Sequence, residues 1–130
     1  MKRPFLKFLA VLAVSVCLAG CRYVSSYAAL GLLRSNTSKT AEVSFASLRG
    51  RLVFRLKCTE PSQALICKGS VETGSITVSI DNGDKEKKLF SLENGEQEET
   101  RYEALAEGTV YIIVKTDGSC RKGNLSFRIE

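Results

Sequence analysis

The chain of 130 residues has no histidine and no tryptophan, only two prolines and a single methionine. Without histidine there is no Ser-His-Asp or Cys-His catalytic unit and no His-ligated metal site. No acidic residue precedes Glu42, and no long stretch carries a helical period. An apolar content of 44% excludes a wholly disordered chain, and the length suits one domain.

What is present begins with a leader. Lys2, Arg3 and Lys7 precede Phe8–Leu18, an apolar run whose only polar residue is Ser15. A charged start, a short apolar helix and small residues after it read as a cleaved signal peptide over residues 1–20. The run falls short of the roughly 20 apolar residues of a permanent spanning helix. It ends in Leu18-Ala19-Gly20-Cys21.

This ending resembles the lipobox of bacterial lipoproteins. The resemblance implies that the Gly20–Cys21 bond is the cut site. It also implies that the Cys21 thiol carries diacylglycerol and the new amine of Cys21 an acyl chain, with no other cofactor. Each buried methylene contributes about 0.8 kcal/mol, so two or three chains hold firmly where one is marginal. The implied location is extracytoplasmic, with membrane lipid as the partner of Cys21, at the cell membrane or an outer membrane.

Cleavage also changes the charge. Losing Lys2, Arg3 and Lys7 takes 19 basic residues to 16, against 14 acidic. The near-neutral remainder gives no reason to expect nucleic acid as a partner. Cys58, Cys67 and Cys120 remain after Cys17 leaves and Cys21 is acylated. Outside the cytoplasm a structural disulfide with one spare thiol is expected, the alternative being three free thiols. Cys58 ends one apolar strand face and Cys67 begins the next strand, so a bridge between them would close a short hairpin. Cys120, in the apparent turn Asp117–Cys120, could reach either. Three thiols without histidine fall short of a zinc site, so no metal is expected.

Residues 21–40 read as the lipidated N-terminus and a tether, Tyr23–Arg34 being a short surface helix or simply a linker. Residues 41–130 carry period-2 alternation. Val43 and Phe45, then Leu52, Phe54, Leu56 and Cys58, then Ile76, Val78 and Ile80, form apolar strand faces. Val110, Ile112 and Val114, then Leu125, Phe127 and Ile129, form two more. Leu65–Val71, Lys88–Leu92 and Thr100–Leu105 are weaker strand candidates. Gly74, Asn82-Gly83, Asn94-Gly95, Gly108, Asp117-Gly118 and Gly123 punctuate them as turns. The expectation is all-β: an antiparallel β-sandwich of about seven or eight short strands. Over roughly residues 69–130, in Gly74–Ile80, Gly108–Lys115 and Gly123–Ile129, the cadence resembles small β-sandwich domains of bacterial lipoproteins and of the ends of secreted bacterial enzymes, which implies an accessory, non-catalytic role.

Two charged features stand out. Arg49, Arg51, Arg55 and Lys57 occupy odd positions of one strand and project from one face. They form either a site for an anionic polymer such as a phosphate-bearing glycan or a solvated outer face that discourages edge pairing. No aromatic residue interleaves them. Tyr111, opposite the apolar set of its own strand, is an exposed contact or packs across a neighbouring strand. Glu93, Glu96, Glu98, Glu99 and Glu103 crowd one stretch, as a solvated loop or as ligands for a hard cation.

These features give a small, membrane-anchored lipoprotein without enzymatic activity, structural or binding at the cell envelope, with an envelope protein or surface glycan as partner. Two alternatives remain. One is an anionic-glycan-binding or adhesion module. The other is a lipid-anchored inhibitor of a hydrolase such as lysozyme, although the chain lacks the Ser-Gly loop and Trp-rich strand of such inhibitors.

Overall fold

Apolar side chains at every second residue create a face that one strand cannot bury alone. A computed structural model describes residues 25–83 and 85–130, so Gly20, Cys21 and the leader lie outside the described residues. The described residues form an all-β, antiparallel sandwich. Its strands are β1 (Ser26–Leu30), β2 (Leu33–Asn36), β3 (Thr40–Cys58), β4 (Leu65–Asp81), β5 (Glu86–Leu92), β6 (Gln97–Tyr102) and β7 (Gly108–Ile129). The hydrogen-bonded order is β1-β3-β7-β4-β5, with β2 beside β3 and β6 beside β4.

Three of these strands are long. β3, β4 and β7 have 19, 17 and 22 residues, and each contains two of the shorter strands expected from the sequence. β4 and β7 bend where a turn was expected, at Gly74 and Asp117-Gly118, and β3 bends at Gly50. Between Arg49↔Ser119 and Arg51↔Lys115, one residue of β3 faces three of β7, and between Thr73↔Arg121 and Ser75↔Asp117 one residue of β4 faces three of β7. These bulges fall at Gly50, Gly74 and Gly118, all with positive φ (122°, 104° and 75°). Thr116 ties the bend together. Its hydroxyl accepts from the Gly50 N–H at 2.8 Å and donates to the Gly118 carbonyl at 2.8 Å.

The bends fold one continuous sheet into two layers. The first layer joins β2, residues 40–49 of β3, 119–129 of β7, 65–73 of β4, and β6. The second joins residues 51–58 of β3, 108–117 of β7, 75–81 of β4, and β5, while β1 runs alongside β3 at the bend. Inward residues change parity once along each long strand, between Phe45 and Leu48 in β3, between Val71 and Ile76 in β4, and between Cys120 and Gly123 in β7. In β4 the change falls at the Gly74 bulge, and in β3 and β7 it falls beside Lys122, whose φ is 50°. Phe54 of the second layer and Phe127 of the first meet with ring centroids 6.0 Å apart, both fully buried.

Four sequence expectations change here. The segment read as a helix or tether contains β1 and β2, both hydrogen-bonded to β3. Cys58, Cys67 and Cys120 are all buried and free, with no disulfide among them. β3 and β4 are not a hairpin, because β7 lies between them and the 59–64 connection crosses from one layer to the other. Cys120 lies inside β7 rather than in a turn, its thiol donating to the Ser75 carbonyl at 3.2 Å. The Cys58 thiol donates to the Glu60 carbonyl at 3.1 Å. Burial pushes the Cys67 thiol up to about 12 and raises that of Cys120, where the Asp117 charge acts in the same direction.

Candidate binding face

The second half of β3 has an outer edge with no strand beside it, yet its backbone is paired. The Val53 N–H donates to Ser25 Oγ at 2.9 Å, and the Arg34 guanidinium donates to the Val53 carbonyl at 3.2 Å. Asn36 imitates a strand: its Oδ1 accepts from the Arg55 N–H at 3.1 Å, and its Nδ2 donates to the Arg55 carbonyl at 2.9 Å. The Lys57 N–H donates to the Ser38 carbonyl at 2.8 Å, and Lys39 Nζ donates to the Lys57 carbonyl at 3.0 Å. The N-terminal segment therefore closes an edge that could recruit foreign strands, and it fixes the backbone carrying the basic residues.

With Leu52, Phe54 and Leu56 buried inward, Arg51, Arg55 and Lys57 take the outer face of the second layer. Arg49 lies before the bend, opposite Ser119 and beside Ala28 of β1, so the structure brings together three of the four expected basic residues. The neighbouring strand adds two residues that reading along β3 could not supply. Lys115 stands directly opposite Arg51, and Tyr111 directly opposite Arg55. The stripe thus has an aromatic neighbour after all, contributed by register. Tyr111 is half-buried and pairs on its other side with Asp81, a buried carboxylate.

Like charges directly opposite each other in a sheet are destabilising. Among the described residues, no carboxylate lies within ion-pair distance of Arg49, Arg55, Lys57 or Lys115. Two shallow depressions flank the face. One, of about 460 Å3, is lined by Arg55, Lys57, Asn36, Ser38 and Thr109. The other, of about 470 Å3, is lined by Lys115, Lys88, Thr77 and Ser79, with Glu86 and Asp117 also at its wall.

The first layer is different. A depression of about 540 Å3 lies over Lys68, Ser70, Gln97, Glu99, Asn124 and Ser126, and there Lys68 meets Glu99 at 3.9 Å. The glutamates of the acidic stretch take separate partners. Glu96 Oε1 accepts from the Glu93 N–H at 2.7 Å, and Glu103 pairs with Arg101 at 2.8 Å. Among the described residues no three acidic or cysteine side chains converge as metal ligands.

No protein-family model matches this chain, and no curated protein matches it in sequence. Solved structures do share its fold. The carbohydrate-binding module TmCBM61, solved in complex with beta-1,4-galactotriose, is 16% identical, with 82% of this chain and 87% of that chain covered and a TM-score of 0.48. PliG of Aeromonas hydrophila, a periplasmic inhibitor of g-type lysozyme, is 12% identical over 72% of this chain and 88% of that one, with a TM-score of 0.49. Tripeptidyl peptidase 2 is 9% identical over 74% of this chain but only 10% of its own, with a TM-score of 0.50. At these identities the likeness is one of fold alone.

Proposed function

We propose that the chain is a small lipoprotein held at the extracytoplasmic face of a membrane by acyl chains on Cys21. Its folded domain is a non-catalytic binding module for a polyanion, namely a phosphate- or carboxylate-bearing envelope glycan. The ligand lies along Arg51, Arg55, Lys57 and Lys115, with Tyr111 beneath a sugar ring. One observation carries the reading: Arg55, Lys57 and Lys115 share a face, and no carboxylate among the described residues neutralises them. A repulsive cluster costs stability, and a polyanion whose counterions are displaced by these side chains offsets that cost.

The binding half is tested on phosphocellulose, a phosphate-bearing glycan. The wild type is retained and elutes with salt, whereas Arg55→Glu with Lys115→Glu lowers affinity about tenfold or more, a loss of about 1.4 kcal/mol. Equal retention of both proteins would remove the reading. The anchor is tested by palmitate labelling in a bacterial host, where wild type takes label and Cys21→Ala does not.

A further inference from the structure

Among the described residues, the exposed large hydrophobic side chains are Tyr27 (43%), Leu30 (71%) and Leu33 (73%). All three fall within seven residues, in β1 and β2; Leu30 and Leu33 share the outward side, and Tyr27, opposite Gly50, takes the other side of β1. Leu30 pairs with Ser47 and Leu33 with Ser44, on the outward side of β3, and exposed Ala46 sits between these partners. Gly31 lets the connection lie close over Ala46, since a Cβ there would stand 3.2 Å from the Ala46 side chain. Apolar side chains exposed together on edge strands are an aggregation hazard unless something covers them.

The covalent chain names the cover. Ser25 is pinned to β3 by the Val53 N–H, and Cys21 lies four residues before it. Four residues reach at most about 14 Å when fully extended. A bilayer that holds acyl chains on Cys21 therefore passes within that distance of the start of β1. No acidic residue lies between Cys21 and Ala41 to resist approach to lipid. Tyr27, on the same edge strand as Leu30, has the amphipathic character that suits the headgroup boundary.

We infer that the β1–β2 segment is a membrane-contacting element, with Tyr27, Leu30 and Leu33 entering the interface of the bilayer that receives the Cys21 acyl chains. This rests on the lipid-anchor reading above. The contact orients the domain: β1 lies along the membrane, and β3 carries Arg51, opposite Ser26, then Arg55 and Lys57 progressively further from it.

The chain contains no tryptophan, so Leu33→Trp introduces a single reporter. The full-length, matured protein is reconstituted in phosphatidylcholine vesicles with and without brominated acyl chains, and Gln97→Trp on exposed β6 is the control. The Leu33→Trp emission shifts to the blue on reconstitution and is quenched at least twofold more than the Gln97→Trp emission. Flotation of the wild type with the vesicles, but not of Cys21→Ala, separates the two readings. A wild type that does not float overturns the anchor and this contact together. A protein that floats with equal emission at both positions overturns the contact alone. A blue shift without vesicles that grows with protein concentration assigns the patch to a second copy of the chain and overturns it too. A Leu30→Glu, Leu33→Glu protein, whose changes lie on exposed positions, keeps its thermal unfolding temperature yet becomes at least twofold more accessible to protease at the β1–β2 connection on vesicles.

Discussion

The two layers of this sheet share three strands and one core but treat charge in opposite ways. Along the first layer basic groups meet acids: Lys68 with Glu99, Lys122 with Glu72, Arg128 with Glu130, Arg101 with Glu103. Each pair is at least half exposed and worth about 0–1 kcal/mol. Along the second layer Arg51 faces Lys115, while Arg55 and Lys57 follow on the same side. The first arrangement is what a solvated surface settles into. The second sets basic side chains of neighbouring strands against one another, Lys115 opposite Arg51.

Substitutions separate the two layers from the inside out. Phe54→Ala removes the ring that joins the layers against Phe127, and should cost about 3–5 kcal/mol in denaturant unfolding. Loss of one layer's signal before the other's would show that the layers are separate units. The bends come next. Gly50→Ala places a Cβ against the Ser26 carbonyl and Tyr27 Cα at a φ of 122°, whereas Gly95, with φ of 77°, has open space around it. Strain of this kind costs about 1–3 kcal/mol, so Gly50→Ala should lower the melting temperature clearly more than Gly95→Ala.

The thiols of the shared core give a pH test. Burial lets Cys67 keep its proton up to about 12 when folded, against 9.0 for an exposed thiol. Between those values the folded state holds a proton that the unfolded state has lost. Stability is therefore fully present below pH 9 and falls as pH rises toward 12, by at most about 1.4 kcal/mol per pH unit. Cys67→Ala should flatten that slope in alkaline melts. The smallest effect bears directly on the two outer faces. Lys115→Glu should raise stability by a few tenths of a kcal/mol while weakening retention on phosphocellulose, and Lys68→Glu should lower stability by a similar amount without touching retention. A Lys115→Glu protein less stable than wild type would show that the second face carries no repulsion.

Much of the strand content was legible residue by residue. Alternation placed Leu52–Cys58, Ile76–Ile80, Val110–Val114 and Leu125–Ile129 in strands with their inward sides correct. The continuity of those strands was not legible, because Asp117-Gly118 and Gly123 carry the composition of a turn while lying inside one strand. A bulge and a hairpin turn draw on the same residues, and only pairing partners on both sides distinguish them. β1 and β2 went unread for a related reason. They are short edge strands, and little of their surface is buried, so hydrophobic alternation was never required of them. The basic stripe was visible along β3, but Lys115 and Tyr111 reached it only through register with β7.

The order of residues alone determined that this is an all-β chain without histidine chemistry, with its strongest strands already facing the correct way. Those properties follow from composition and from period-2 contacts between near neighbours. Only the tertiary structure decided that three pairs of strands would each be one bent strand. It also left the thiols buried and unbridged, closed the β3 edge with the N-terminal segment, and set Lys115 and Tyr111 beside Arg51 and Arg55. Each of those outcomes depends on which distant strand lies alongside, and a one-dimensional pattern carries that information only after the sheet has closed on its core.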